Sequence, residues 1–211
     1  MKNMKNTLFL TSAVLFLTFL SICAQASTIV DELERITGEV AKLDLGFGGY
    51  VLGNPLTEEQ KTIAARNAVK KALKGTYKFK DGEVFVVASR SNDTIIGIYK
   101  DYQNATMDTL KSVIGTLMLE HGEPTAMAHD KLVYWTYNEN GKIDQDVFDF
   151  ERGSGGIKSL VTVKFSSTEP IIERKKEGEE KEEKKISAYV MITSDPLSKL
   201  FLAQVKSATK L

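Results

Sequence analysis

The stretch that decides the fold runs from Glu83 to Pro124 and reads EVFVVASRSNDTIIGIYKDYQNATMDTLKSVIGTLMLEHGEP. Its first part holds two runs rich in Val, Ile and Phe around the turn-forming residues 90–93, which predicts a β-hairpin. Its last part carries apolar residues at helical spacing over 107–121, and Gly122 then ends the helix. A hairpin followed directly by a helix favours an antiparallel sheet over alternating parallel units.

Two further helices are predicted on the N-terminal side of this stretch. Residues 28–42 have apolar side chains at helical spacing, although Gly38 weakens the pattern. Thr57 and Gln60 form a capping-box pattern that starts a second helix. The apolar face of that helix extends to Leu73.

The pattern on the C-terminal side is mostly that of strands. Leu132–Tyr137 alternates two faces, and a turn at Asn140-Gly141 predicts a hairpin with a strand over residues 143–150. Gly153–Gly156 predicts another turn. Two more strands, residues 160–165 and 186–193, are expected to pair, and a last helix is predicted from Asp195 and Pro196.

Together these elements predict an α+β fold, a mainly antiparallel sheet with helices packed on one side. We expect one domain over residues 45–211, with residues 27–44 as an N-terminal helix or linker. The order of elements echoes itself loosely between residues 50–100 and 104–166, without a repeat at the level of residues.

Residues 1–26 have the pattern of a secretory signal peptide. Lys2 and Lys5 precede an apolar run from Leu8 to Leu20, and small residues lead to a predicted cut after Ala26. The run is shorter than the roughly 20 apolar residues of a spanning helix, although an uncleaved anchor is an alternative. Lipidation of Cys23 is another, but bulky Ile22 precedes that cysteine. The expected location is therefore periplasmic or secreted.

Cleavage would change the charge and the chemistry of the chain. It removes Lys2, Lys5 and no acid, so the 28 basic residues fall to 26 against 28 acidic ones, a net charge of −2. This balance disfavours a nucleic-acid partner. Cleavage also removes Cys23, the only cysteine, which excludes disulfides and cysteine nucleophiles. We expect no stable membrane insertion once the leader is gone.

The segment 173–185 is almost entirely charged. Twelve of its thirteen residues carry charge, six of each sign. Such a segment cannot bury apolar surface, so it predicts a solvated loop or hairpin tip. The alternative is an electrostatic docking arm, and its mixed signs disfavour a simple phosphate or membrane-surface binder.

Candidate catalytic and ligand residues do not form a known pattern. The spacing of His121 and His129 matches no standard zinc motif. The carboxylates of Asp144, Asp146 and Asp149 lack the glycine and the later Glu of a calcium loop. The glycine clusters fit neither a dinucleotide nor a P-loop motif. We therefore predict no catalytic residue, no cofactor and no metal.

The aromatic residues of 132–137 give the one tentative surface contact. Alternation places Trp135 on one face with Val133 and Tyr137, which indicates the core. Tyr134 points the other way and is our candidate for a partner surface, since aromatic residues dominate interface hot spots.

Four short motifs resemble those of a class of bacterial exported α+β domains. They are an entry GYVLG (residues 49–53), a strand end IGIY (96–99), a helix end HGEP (121–124) and an aromatic strand VYW (133–135). A similar pattern occurs in small outer-membrane assembly lipoproteins and in β-lactamase-inhibitor-like folds. The resemblance implies a helix-plus-sheet module that binds other proteins. The charged segment has no counterpart in that pattern, and no binding residue is carried over.

Three functions follow as hypotheses. The first is a non-enzymatic exported interaction module that binds a protein of the cell envelope through its sheet and loops. The second is a secreted hydrolase that uses a histidine with acidic residues, which would lie together in a cleft. The third is a carrier of a small apolar ligand between sheet and helices. The sequence does not predict an oligomeric state.

Overall fold

The computed structural model describes residues 28–154, 159–172 and 185–208. The predicted leader and most of the charged segment, residues 173–184, lie outside the described residues. The elements, numbered in chain order, are α1 (28–42), β1 (Gly46–Phe47), β2 (Tyr50–Val51), α2 (Glu58–Arg66), β3 (Thr76–Asp81), β4 (Val84–Ser89), β5 (Ile95–Ala105), α3 (Met107–His121), β6 (Ala126–Ala128), β7 (Leu132–Asn138), β8 (Gly141–Lys142), α4 (Gln145–Ser154), β9 (Val161–Ser167), β10 (Ile186–Thr193) and α5 (Asp195–Ala208).

Helices and a large antiparallel sheet make this an α+β fold. Eight strands form the sheet in the order β3-β4-β5-β10-β9-β7-β6, with β8 also paired to β7. Every pairing in it is antiparallel. The predicted hairpin is β4 and β5, and the predicted pairing of residues 160–165 with 186–193 is β9 with β10.

The sheet consists of two halves in which a helix is followed by three strands in the same order along the chain. In the first half, α2 leads to β3, β4 and β5, and in the second, α3 leads to β7, β9 and β10. The last strands of the two halves, β5 and β10, pair antiparallel at the centre of the sheet. In each half, a short segment that follows the helix pairs with the outermost strand. In the first half Ala68 forms a bridge to Phe79 on β3, and in the second half β6 pairs with β7. The loose internal echo of the sequence thus corresponds to a repeated order of elements.

One hydrophobic core joins the helices to one face of the sheet. Along β9 and β10 every second residue is buried and the residues between them are half-buried. The buried residues of α1, α3 and α5 belong to the same cluster as the inward residues of the strands. Its largest fully buried side chains are Trp135, Tyr50, Phe79 and Phe165.

Helix α1 is packed tightly onto this core. Val40 of α1 is fully buried, and Gly53 adopts φ +86° directly against the helix. A Cβ on Gly53 would lie 2.9 Å from the backbone of both Thr37 and Ala41, so only glycine fits this approach. The predicted linker region 27–44 is therefore, over residues 28–42, a helix that contributes to the core.

Several helix ends lie where their residues predict them. Thr57 and Gln60 form a reciprocal capping box at the start of α2. The Thr106 hydroxyl accepts a hydrogen bond from the Thr109 N–H at the start of α3. Gly122, with φ +73°, ends α3.

The predicted length of the second helix is wrong. Helix α2 ends at Arg66 rather than near Gly75. The Val69 N–H donates to the Lys78 carbonyl, and the Lys80 N–H donates to the Asn67 carbonyl, so the chain after α2 pairs with the outer edge of β3. This pairing overrides helical propensity, and Leu73 is left 66% exposed.

The predicted strand over residues 143–150 is also wrong. Strand β8 ends at Lys142, and residues from Gln145 to Ser154 form α4. Gly153, where a turn was predicted to start, therefore lies in a helix, and the last two residues of the predicted turn lie outside the described residues. Asp146 lies in the first turn of α4, where a carboxylate is favourable, and acidic residues disfavour strands. The Phe148 N–H donates to the Asp144 carbonyl, which closes the first turn.

Within the described ranges, none of the helices combines the length and the apolar composition that crossing a bilayer requires.

Candidate binding face

The side of the sheet opposite the core carries a row of aromatic and lysine side chains. The strand registers connect Lys80 to Phe85, Phe85 to Tyr99, Tyr99 to Met191, Met191 to Lys164, and Lys164 to Tyr134. We call the open face the set formed by Lys78, Lys80, Phe85, Tyr99, Tyr134, Lys164, Tyr189 and Met191. Each of these side chains is half-buried or exposed.

The first half of the sheet contributes a stacked aromatic pair. The Phe85 and Tyr99 rings are 4.6 Å apart between centroids and 5° from parallel. The Lys78 Nζ lies 5.7 Å from the centre of the Phe85 ring and 5.8 Å from that of Tyr99, and it donates to the Tyr99 hydroxyl at 3.3 Å. Lys80 approaches the Phe85 ring at 5.1 Å. Cation–π attraction therefore holds two ammonium groups beside one aromatic pair.

The second half contributes one lysine between two tyrosines. The Lys164 Nζ lies 5.7 Å from the ring centres of both Tyr134 and Tyr189. The pKa of Tyr189 is lowered, first by its hydrogen bond with Ser166 and then by the neighbouring Lys164 ammonium. Both interactions favour the ionised form of the Tyr189 phenol.

Charge on this face is predominantly positive. Lys78, Lys80 and Lys164 face solvent there, and among the described strand residues that point the same way Asp101 is the only acid. Asp101 accepts a hydrogen bond from the Gln103 amide at 2.8 Å. The sequence as a whole carries no net charge, so the three lysines are a local concentration of positive charge.

Tyr134 lies where alternation predicts it. Val133 and Trp135 are fully buried and Tyr137 is 8% exposed, whereas Tyr134 is half-buried on the open face. The neighbours of Tyr134 on the open face were not predicted from the sequence.

Strand β3 was not predicted either, although Tyr77 and Phe79 alternate with Lys78 and Lys80 in the pattern of a half-buried strand.

The histidine of the hydrolase hypothesis lies on the core side, away from the open face. His121 is the last residue of α3, and its side chain is 9% exposed. Its Nδ1 is 2.9 Å from the Tyr137 hydroxyl, and its ring lies 5.9 Å from that of Trp135. The Trp135 indole N–H donates to the Gly122 carbonyl at 2.8 Å. These contacts fasten the end of α3 to β7.

Burial favours the neutral form of this histidine. Burial lowers the pKa of His121, and Lys142 lowers it further, while Glu120 acts in the opposite direction. The His121 Nε2 has no hydrogen-bond partner and is 3.9 Å from the Glu120 carboxylate. Burial also raises the pKa of Tyr137 to about 12. The group is a buried imidazole with one nitrogen that makes no hydrogen bond.

The remaining candidates are not brought together. His129 is exposed in the turn between β6 and β7, with φ 54°. Asp146 and Asp149 are exposed on α4 instead of lining a strand, and Asp144 is exposed just before it. Over the residues that the structure describes, no group of three or more potential metal ligands occurs.

The chain matches no protein-family model, no curated protein and no solved structure.

Proposed function

We propose that the chain is exported, loses residues 1–26, and acts as a non-enzymatic binding module that recognises an envelope protein through the open face. The observation that carries the proposal is a sheet with one face packed on helices and the other lined by aromatic and lysine side chains. The proposal extends to a single domain of residues 27–211, without nucleic acid, metal or cofactor.

Three properties of the open face support this function. It is continuous, because one register row crosses six strands from Lys80 to Tyr134. It is rich in tyrosine, which contributes large contact area together with a hydrogen-bonding tip. It is rigid, because every strand beneath it is paired and its opposite face is packed on the core. A rigid surface loses little conformational entropy on binding.

Binding is favoured over hydrolysis by the contacts of His121. The imidazole is enclosed by Trp135 and Tyr137, and its Nδ1 is already hydrogen-bonded to Tyr137. A general base needs a nitrogen that reaches the reacting proton. The unused Nε2 is buried next to Glu120. The large buried aromatic residues between helices and sheet likewise favour core packing over a carried ligand.

Site-specific photo-cross-linking in the cells that make the protein tests this function. A photoreactive amino acid replaces Met191 at the centre of the open face, and in a control it replaces Leu119, which is 90% exposed on α3. We expect Met191 to give one specific adduct in the envelope fraction that excess unlabelled protein suppresses. Equal adducts from both positions, or none from Met191, would contradict the proposed function.

Mass spectrometry of the natural protein tests export separately. We expect an N-terminus at Ser27. A cytosolic product that retains Met1 would contradict it.

A further inference from the structure

The open face has a chemistry that selects its partner. We propose that it binds an acidic polypeptide segment, with carboxylates seated on the two lysine clusters and an apolar or aromatic stretch between them. This proposal rests on the proposed function and adds the chemical class of the partner.

Charge complementarity is the first argument. The lysines Lys78, Lys80 and Lys164 stand on a face whose only described acid on the strands is Asp101. Asp101 pairs with Tyr189 and accepts a hydrogen bond from the Gln103 amide, and the three lysines outnumber it. An ammonium group gives strong, charge-assisted hydrogen bonds to a carboxylate. Opposite charge on the partner also speeds encounter and excludes basic competitors.

Preorganisation is the second argument. Free lysine side chains lose much rotamer freedom on binding. Here Lys78 is held beside the Phe85–Tyr99 pair, and Lys164 is held near both Tyr134 and Tyr189, before any partner arrives. Part of the entropy cost is therefore met during folding, and the ammonium groups are already directed to the surface.

The orientation of the aromatic pair is the third argument. The centroid separation of 4.6 Å between Phe85 and Tyr99 matches the roughly 4.8 Å spacing of neighbouring strands. The two rings therefore face each other, one on each strand, and their edges point towards solvent. Ring edges carry partial positive charge, which suits carboxylates. A sugar ring stacks on an exposed aromatic face, so this pair favours an acidic polypeptide over an anionic polysaccharide.

The distance between the clusters sets the size of the segment. Lys78 on β3 and Lys164 on β9 are four strand spacings apart, about 19 Å. An extended chain of about six residues spans this distance. Met191 lies between the Phe85–Tyr99 pair and Lys164 in the register row, where the middle of the segment would pack.

A binding titration with defined polymers tests the proposal. The probe is a random copolymer of Glu and Tyr, and polygalacturonate serves as an anionic polysaccharide of similar charge density. We compare the full-length protein with the double variant Lys78→Gln/Lys164→Gln and with the control Lys71→Gln/Lys199→Gln. The control removes the same charge from two exposed lysines elsewhere on the chain.

We expect the open-face variant to bind the copolymer at least tenfold more weakly, and the control to change affinity less than twofold. Circular dichroism and the urea midpoint show that both variants fold. Equal losses of copolymer affinity in both variants would mean that the effect comes from the net charge of the protein. If the protein binds polygalacturonate more tightly than the copolymer, the open face is a polysaccharide site. Either result overturns the proposal.

Cross-linking separates this proposal from the proposed function. If Met191 yields its specific adduct while Lys78→Gln/Lys164→Gln leaves copolymer affinity unchanged, the open face binds but its partner is not acidic. If Met191 yields no specific adduct, the proposed function fails, and this inference fails with it.

Discussion

The two halves of the sheet share an order of elements but differ in how they are elaborated. In the first half, β3 and β4 are joined by a two-residue turn, and residues 90–94 connect β4 to β5. In the second half, β8 and α4 lie between β7 and β9, and residues 168–185 separate β9 from β10. The second half also buries His121 at the end of its helix, where the first half has the exposed Arg66.

Despite these differences, both halves place a lysine within 6 Å of two aromatic ring centres on the open face. The positions are not equivalent, because Lys78 lies on an outer strand and Lys164 lies on the middle strand of its half. Repeated topology alone would conserve the position rather than the chemistry. The recurrence therefore does not follow from the repeated order of elements.

The largest expected effect concerns whether the halves fold together. Phe79 and Trp135 are each fully buried, one in each half, and Trp135 also donates a hydrogen bond. Phe79→Ala and Trp135→Ala should each lower the free energy of unfolding by about 3–5 kcal/mol. Urea denaturation followed by circular dichroism measures both, with Tyr134→Ala on the open face as a control of smaller effect.

The pairing of β5 with β10 predicts that either substitution shifts one common transition. Two separate unfolding transitions, of which Phe79→Ala shifts only one, would show that the two halves unfold independently and would contradict this prediction.

A second large effect is expected where the first half meets α1. In Gly53→Ala, the new Cβ meets backbone atoms of Thr37 and Ala41, and residue 53 has a positive φ. We therefore expect the free energy of unfolding to fall by about 2–4 kcal/mol. Gly38→Ala is the matched control, because nothing lies within 4 Å of its Cβ on the exposed side of α1. It should stabilise the protein by about 0.5–1 kcal/mol. Thermal unfolding distinguishes the two, and equal shifts would refute the close packing of α1.

Local signals predicted the ends of most helices and the central hairpin. The Thr57 capping box and the stop at Gly122 depend on neighbouring residues alone, so sequence reveals them. The end of α2 at Arg66 depends on partners distant in sequence. The chain after Arg66 pairs with β3, and strand β8 ends at Lys142 although apolar residues continue beyond it. Such long-range pairing is not visible in local periodicity.

The second half should make the free energy of unfolding depend on pH through His121, which has no counterpart in the first half. Burial lowers the folded-state pKa of His121, so the unfolded chain binds more protons just below the ordinary histidine pKa of about 6.5. The free energy of unfolding should therefore fall as pH drops through 6.5, and this loss should end below the folded-state pKa. In His121→Gln the same titration is absent.

Urea denaturation at pH 7.5 and pH 5.5 tests this difference. Wild type should lose more stability than His121→Gln between the two values, while the carboxylates affect both proteins alike. Parallel losses would mean that the imidazole is not held neutral by burial.

The smallest effects are expected on the open face itself. Lys78→Gln and Lys164→Gln should each lower the free energy of unfolding by less than about 1 kcal/mol, since cation–π contacts at exposed sites are weak. Lys164→Gln should also raise the pKa of Tyr189, because the ammonium contributes to lowering it. Titration of the tyrosine resonances by NMR measures this shift. A Tyr189 pKa that does not move would remove Lys164 from that cluster.

Only one residue of the open face, Tyr134, was predicted from the sequence. Tyr134 follows from alternation within a single strand. Its neighbours Lys164 and Tyr189 belong to β9 and β10, which the charged segment separates in sequence. The stacked pair of Phe85 and Tyr99 depends on the register of the hairpin, which a turn pattern does not specify to the residue.

Methionine methyl NMR tests most directly whether the open face is the binding surface. Met191 reports from the centre of that face, whereas Met118 and Met127, which are 40% and 48% exposed, report from α3 and the β6 edge. On titration with the Glu–Tyr copolymer, we predict that the Met191 resonance shifts saturably while those of Met118 and Met127 stay in place. Shifts confined to Met118 or Met127, with Met191 unmoved, would contradict the account.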